Sequence, residues 1–156
     1  MAARKAPKER LGSNSSPTPV FSSFRGQLVG ATKLGTVRDK VTQGGVSGAT
    51  LRDLRQRLGL TIADVSHVLG AGERTVIRKE QGKAALSPTE ADRAYRLARI
   101  ADLAIELIGD EQKGIAWLRV PSVYLGGETP VAMLDTEVGT DAVIESLYAI
   151  AYGGVA

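Results

Sequence analysis

Apolar residues recur at helical spacing along most of the chain. Between residues 51 and 58 the leucines lie three and four positions apart, and a second aliphatic series with similar spacing runs from residue 62 to residue 69. Such spacing places each series on one face of an amphipathic helix. The sequence has no convincing strand pattern and no internal repeat. The pattern therefore predicts an all-α protein.

Two capping boxes mark predicted helix starts. Thr61 and Ser87 are each followed three positions later by an acidic residue, so that both side chains can satisfy free backbone N–H groups at a helix N-terminus. Gly70 ends the helix that Thr61 begins, and a short helix is predicted from residue 72 to residue 79. Residues 47–79 therefore hold three helices joined by very short connections.

A long helix is predicted from Pro88 to about Ile108, and shorter helices follow, with a last helix that starts near residue 139. The second half of the long helix is apolar on more than one face. That composition is typical of a helix buried on several sides, within a bundle or across a dimer seam. We expect a homodimer, and its candidate interface consists of the following residues: Leu97, Ile100, Leu103, Ile105 and Leu107.

The first 46 residues are rich in Gly, Ser and basic side chains. Residues 1–19 hold too little apolar surface to offset the entropy lost on ordering, so a disordered tail is expected there. No element is assigned within residues 20–46, which are Gly-rich with scattered apolar residues. The predicted domains are thus a partly disordered arm at 1–46, a three-helix domain at 47–86 and a second helical domain at 87–156.

Charge divides the chain into two parts of opposite sign. Of the 156 residues, the first 86 carry 15 Lys or Arg against 6 Asp or Glu, and the remainder carry 5 against 11. A basic part joined to an acidic part favours two partners of opposite character. The alternative is that two solvated surfaces differ by chance.

The residue types present exclude several classes of protein. There is no cysteine, which excludes disulfides and a thiol nucleophile, and the single histidine, His67, leaves too few ligands for an ordinary zinc site. We find no catalytic constellation and expect neither an enzyme nor a cofactor or metal. Residues 97–108, the longest apolar run, are too short and too charged to span a bilayer, and no signal sequence is present, so a cytoplasmic protein is expected.

Residues 61–79 have the spacing of a helix-turn-helix. In that motif a tight turn lets the second helix present its N-terminal half to the DNA major groove. Arginine makes bidentate contacts to guanine, and threonine and lysine suit phosphate. The alternative is an ordinary three-helix bundle with a basic surface. The candidate DNA-binding residues are Arg74, Thr75, Arg78 and Lys79 on the second helix and Thr61 at the start of the first.

Several short motifs follow one another toward the end of the chain. They are Arg-Thr-x-x-Arg at 74–78, Leu-Ser-Pro-x-Glu at 86–90, Trp-Leu with a later Pro at 117–121, Gly-Gly-x-Thr-Pro at 126–130, Thr-Glu-x-Gly at 136–139 and Tyr-Gly at 152–153. In this order they resemble the Xre-type antitoxins of RES–Xre toxin–antitoxin operons, the MbcA/ParS/Xre family. One departure is Gly72, where relatives often carry Ser as the helix cap, and glycine is only slightly inferior there.

The resemblance implies two activities. The helix-turn-helix would bind the operon's own promoter and repress it, and the C-terminal half would bind and neutralise a RES-domain toxin, an enzyme that degrades NAD⁺. Catalytic residues would then belong to the toxin and not to this chain. The alternative is a stand-alone dimeric DNA-binding transcriptional regulator whose C-terminal half only dimerises.

The last eleven residues carry no charged side chain, which is unusual for a chain end. An apolar helix runs into two glycines, and the terminal carboxylate suits an NAD⁺ phosphate pocket lined by arginine. The alternative is that this tail packs on its own domain or in a dimer. The candidate toxin-binding and inhibitory residues are Leu147, Tyr148, Ile150, Tyr152, Gly153, Gly154, Val155 and Ala156.

Overall fold

A computed structural model describes residues 23–30 and 34–153 of the chain. Within these residues there are helices and no strand, so the all-α prediction is confirmed. Two short 3-10 helices lie at Val123–Leu125 and Pro130–Asp135. The α-helices are α1 (Phe24–Val29), α2 (Leu34–Thr42), α3 (Gly48–Arg57), α4 (Ile62–Leu69), α5 (Glu73–Glu80), α6 (Pro88–Ile108), α7 (Glu111–Trp117) and α8 (Glu137–Tyr152).

Both predicted capping boxes are present. The hydroxyl of Thr61 accepts a hydrogen bond from the Asp64 amide at 3.1 Å, and the Asp64 carboxylate accepts one from the Thr61 amide at 2.8 Å. Ser87 and Glu90 form the same reciprocal pair at the start of α6. These bonds satisfy N–H groups that have no partner within the helix, so local sequence alone determines where α4 and α6 begin.

The long helix α6 is the centre of the fold. It contacts α1, α2, α4, α7 and α8, as well as the 3-10 helix of residues 130–135. This explains why α6 is apolar on more than one face. Leu97 and Ile100 are almost completely buried inside the monomer. They were predicted at a dimer interface, and that prediction is wrong because other helices of the same chain cover them.

The Gly-rich segment that was left without an element forms α1 and α2, and both pack on α6. The Asp102 carboxylate accepts hydrogen bonds from the amides of Phe24 (2.8 Å) and Arg25 (3.1 Å), so a residue of α6 caps α1. Phe24 is buried, and the Arg57 guanidinium lies over its ring, 4.3 Å from the centroid. Part of the predicted N-terminal arm is therefore built into the core, whereas residues 1–22 lie outside the described residues.

The last helix starts two residues earlier than predicted. The hydroxyl of Thr136 accepts a hydrogen bond from the Gly139 amide at 3.1 Å, which makes Thr136 the cap of α8. The buried side of α8 packs on α6 and on the 3-10 helix of residues 130–135. No helix in the described part of the chain is long and apolar enough to cross a membrane.

Candidate functional site

The helix-turn-helix consists of α4, a turn at residues 70–72 and α5. Gly70 has φ of +64°, a left-handed conformation that strains any residue with a Cβ atom. A Cβ on Gly70 would also collide with the guanidinium of Arg93, which donates a hydrogen bond to the Leu69 carbonyl at 2.8 Å. The turn therefore requires glycine for its left-handed conformation, and a side chain there would also displace the Arg93 guanidinium.

Two buried ion pairs fix α5 against the rest of the domain. The Arg55 guanidinium binds both carboxylate oxygens of Glu80, with N–O distances of 2.8 and 2.9 Å. This hydrogen bonding raises the pKa of Arg55 above its ordinary value, against the opposing effect of burial. The Lys79 ammonium donates to the Glu90 carboxylate at 2.5 Å and to the Ala85 carbonyl at 3.0 Å. The inner face of α5 is thereby locked onto α3 and α6.

Lys79 was predicted to contact DNA phosphate, and the structure contradicts that role. Its side chain is only 10% exposed, and its ammonium is bound to Glu90 within the fold. Glu90 also serves the N-terminus of α6, so it links two helices. A lysine with this partner and this burial fixes the orientation of α5 and does not reach a phosphate outside.

The outer face of α5 is exposed and carries the remaining predicted residues. Arg74 and Arg78 lie four positions apart on this face, and neither forms an ion pair with any described residue. Thr75 lies at the edge of the face and is half-buried. Thr61 is exposed at the start of α4, where its hydroxyl is engaged in the cap with Asp64. The structure thus places two exposed arginines, without an ion-pair partner among the described residues, together on the outer face of α5.

One exposed residue of this face was not predicted. Ile77 lies between Arg74 and Arg78 and is 42% exposed. Helical periodicity assigned aliphatic residues to the core, so the sequence pattern alone gave no reason to place Ile77 outside.

The helix-turn-helix contacts the C-terminal part of the chain directly. The His67 side chain on α4 has Nε2 2.8 Å from the Ala132 carbonyl oxygen and 3.6 Å from the Asp135 carboxylate. From the segment after α7, the Arg119 guanidinium donates to the Gly59 carbonyl at 3.0 Å. These contacts join the helices around the turn to the segment between α7 and α8.

The predicted toxin-binding residues divide between the core and the surface. Leu147 is completely buried, so its predicted place in an interface is wrong; the hydrophobic face of α8 uses it to pack on the core. Tyr148 and Tyr152 are exposed and stack on each other, with ring centroids 6.0 Å apart. Ile150 and Gly153 are also exposed. The remaining predicted positions, Gly154, Val155 and Ala156, lie outside the described residues.

Further apolar residues of the C-terminal part are exposed and were not predicted. They include Val123 (89% exposed), Tyr124 and Val138 (81%). Val123 and Tyr124 lie in a 3-10 helix that contacts α8. A two-residue apolar pair in a short turn has no periodicity, and for that reason the sequence pattern did not indicate a surface there.

Two family models match this chain in succession. Residues 37–99 match the "Antitoxin Xre-like helix-turn-helix domain", and residues 103–153 match the "Antitoxin Xre/MbcA/ParS C-terminal toxin-binding domain". The chain therefore combines a helix-turn-helix domain with a toxin-binding domain. It belongs to the Xre/MbcA/ParS antitoxin family, as the order of its motifs predicted. This family consists of antitoxins and DNA-binding regulators and not of enzymes.

Curated relatives carry the same family name. The chain is 29% identical over 92 residues to "Antitoxin Xre" of Yersinia enterocolitica and 34% identical over 91 residues to that of Photorhabdus laumondii, in each case 58% of this chain and 62% of the relative. It is 36% identical over 80 residues to "Antitoxin Xre" of Pseudomonas putida, 51% of this chain and 50% of the relative. The chain thus spans less than two thirds of the length of each of these relatives.

Proposed function

We propose that the chain is an antitoxin that neutralises a RES-domain, NAD⁺-degrading toxin and represses its own operon. Two groups of exposed side chains support this proposal, one cationic and one apolar. Unpaired cations lie together on α5, whereas the exposed large apolar residues concentrate in the toxin-binding domain. A basic surface suits DNA, and an exposed apolar surface suits a protein partner.

The proposed DNA interface is the outer face of α5. Its arginines suit guanine edges or phosphates, and Thr75 on α5 and Thr61 at the start of α4 are candidate phosphate contacts. Lys79 is left out of this interface because its charge is neutralised by Glu90. The buried pairs at the inner face hold the backbone of α5 in place, so little backbone entropy is lost when α5 enters the groove.

The proposed toxin interface is the exposed apolar surface of the C-terminal domain. Seven of the eight large hydrophobic residues that are exposed in the described part of the chain lie within residues 103–153. Aromatic residues often dominate the energy of protein interfaces, and the stacked Tyr148 and Tyr152 are rigid amphipathic anchors. Leu147 is excluded because it is buried in the monomer.

Residues 153–156 are proposed to enter the active-site cleft of the toxin. The helix that precedes them ends at Tyr152, which is 73% exposed and belongs to the proposed interface. Small residues fit a narrow cleft, and Gly153 and Gly154 permit close approach to its walls. Ile150 and Tyr152 would then hold this segment at the mouth of the cleft.

Deletion of residues 153–156 tests this division of roles. We expect the truncated chain to co-purify with the RES-domain toxin encoded beside it but to leave cellular NAD⁺ unprotected, because most of the buried area lies outside the tail. The double variant Tyr148→Ala/Tyr152→Ala should instead weaken co-purification, and Gln112→Ala, on the exposed side of α7, is the control. Full protection by the truncated chain contradicts tail insertion. If the full chain bound its promoter but no toxin, it would act as a stand-alone DNA-binding regulator.

We also propose a homodimer, because one helix-turn-helix reads one half-site and paired half-sites need two copies. The candidate seam is reduced to the half-buried residues Leu103 and Leu107, which share one face of α6, with Ile105 packed mainly on the core. Leu103→Glu should lower the sedimenting mass, whereas Val120→Glu, the same change at an exposed site elsewhere, should not. A monomeric wild type at micromolar concentration contradicts a preformed dimer.

A further inference from the structure

The rotation of α5 about its axis is fixed by its buried residues. Val76 is completely buried, and the adjacent inner positions Lys79 and Glu80 are held by ion pairs to α6 and α3. Gly48 of α3 lies so close to α5 that a Cβ atom there would collide with the Lys79 carbonyl. Since successive residues of a helix are about 100° apart, these contacts determine which side chains point outward.

Ile77 lies near the middle of that outward face. The face also contains Glu73 and Arg74, one turn before Ile77, and Arg78 and Gln81 after it, and all five residues are exposed. Ile77 is the one large hydrophobic residue exposed outside residues 103–153 in the part of the chain that the structure describes. It is therefore an isolated aliphatic side chain on an otherwise polar surface.

The charges beside Ile77 indicate the kind of partner surface that it would contact. A single exposed aliphatic residue needs no explanation by itself. Here, however, Arg74 and Arg78 flank it without a counter-ion among the described residues. The DNA major groove offers the matching surface, because the C5-methyl group of thymine is an apolar point beside acceptor-rich base edges and phosphates. A second copy of this face would bring like charges together, which opposes self-association through Ile77.

We infer that Ile77 determines sequence specificity by contacting the methyl group of a thymine in the operator. This inference rests on the proposed DNA binding and adds to it a base type and a reading residue. The adjacent arginines supply affinity and guanine contacts. Ile77 distinguishes thymine from cytosine and uracil, because only thymine carries the C5-methyl group.

Replacement of single thymidines by deoxyuridine tests the inference, because it removes the methyl group and leaves base pairing intact. DNA from upstream of the chain's own gene is prepared with each thymine replaced in turn. Binding is measured at fixed salt for the wild type, for Ile77→Ala and for the control Val138→Ala, an exposed aliphatic residue on α8. We expect wild type and control to lose about four-fold in affinity at one thymine per half-site, the effect of one buried methyl group. Ile77→Ala should lose nothing there, and Ile77→Val should keep most of the sensitivity.

Each contrary result has a distinct meaning. Equal sensitivity of wild type and Ile77→Ala at every thymine overturns the inference but leaves the DNA-binding proposal standing. No sequence-specific binding by the wild type overturns both. A change in the association state of the free protein on Ile77→Ala, measured by sedimentation, assigns the residue to a contact between copies and also overturns the inference. Circular dichroism verifies that the variants are folded.

Discussion

Arg55 and Glu80 join the last turn of α3 to the last turn of α5 through a bidentate ion pair. The side chain of Arg55 is 18% exposed and that of Glu80 is 7% exposed, so both charges are largely removed from water. The same guanidinium reaches the Leu60 carbonyl at 3.3 Å, in the connection between α3 and α4. One arginine thus joins α3, α5 and the connection that leads into α4.

Breaking this pair should destabilise the protein strongly. Arg55→Met leaves the Glu80 carboxylate buried and unpaired, which costs about 3–5 kcal/mol in the free energy of unfolding measured with urea. The double variant Arg55→Met/Glu80→Leu should recover most of that loss, because no buried charge remains. Arg52→Met on the same helix is the control. Arg52 Nε lies 3.9 Å from Asp53 Oδ1 in an exposed ion pair, and the loss of this pair should cost under about 1 kcal/mol. A double variant as unstable as the single one would contradict this account.

The pair of Lys79 and Glu90 should make stability depend on acid pH. Burial opposes the charged carboxylate, but the hydrogen bonds from Lys79 and the Ser87 amide outweigh it and hold the pKa of Glu90 below its ordinary value. Because the folded pKa is lowered, the stabilisation is present above the unfolded pKa, about 4.3, and is lost as pH falls through the folded value.

The free energy of unfolding of wild type and Glu90→Gln should therefore differ by a constant amount above about pH 5, and the two should converge as pH falls through the lowered pKa of folded Glu90. Glu106→Gln, at an exposed position of the same helix, serves as the control and should stay close to wild type. If the difference in free energy of unfolding between wild type and Glu90→Gln widened on acidification, the Glu90 carboxylate would not be stabilised by Lys79.

Glycine at the turn of the helix-turn-helix should be more difficult to replace than another left-handed glycine nearby. Gly70 and Gly82 have φ of +64° and +77°, and a Cβ meets Arg93 at the first but nothing within 4 Å at the second. Both Ala variants lose about 1–2 kcal/mol from backbone strain. Gly70→Ala should lose about 1 kcal/mol more, since Arg93 must give up its bond to Leu69. Equal losses for Gly70→Ala and Gly82→Ala in urea unfolding would disprove the role of Arg93.

The outward arginines of α5 should control DNA affinity. Replacing Arg74 or Arg78 with Ala should cost about 1–3 kcal/mol in binding to the promoter fragment if the residue contacts a base edge, and it should relax sequence preference. Lys113→Ala removes an exposed cation from α7 and serves as the control for net charge. The measurement is a titration at matched salt. Unchanged affinity of the Arg74→Ala/Arg78→Ala double variant would remove α5 from the interface.

Local sequence determined where several helices begin and where the turn lies. The caps at Thr61 and Ser87 and the left-handed Gly70 act within three or four residues, so their signals are complete in the sequence itself. The same holds for the separation of α4 and α5 and for the two arginines that share the outer face of α5. These signals were sufficient for the all-α fold and for the helix-turn-helix motif.

Only the tertiary structure decided which partner each face would meet. Helical periodicity indicates that a face is apolar, but not whether the same chain or another copy covers it. Leu97 and Ile100 were thus assigned to a dimer seam although α6 uses them inside the monomer, and Leu147 likewise lies in the core.

A charged residue is equally ambiguous in the sequence, because its counter-ion comes from another helix. Lys79 meets Glu90, eleven positions later, and Arg25 meets Asp102, seventy-seven positions later. The Gly-rich segment around Arg25 has too few periodic residues to predict helices by itself, and α6 supplies the cap and the apolar surface that stabilise α1. Local spacing and short motifs therefore determined helices α3 to α8 and the family, whereas packing between distant segments stabilised α1 and α2 and determined which side chains remained exposed for a partner.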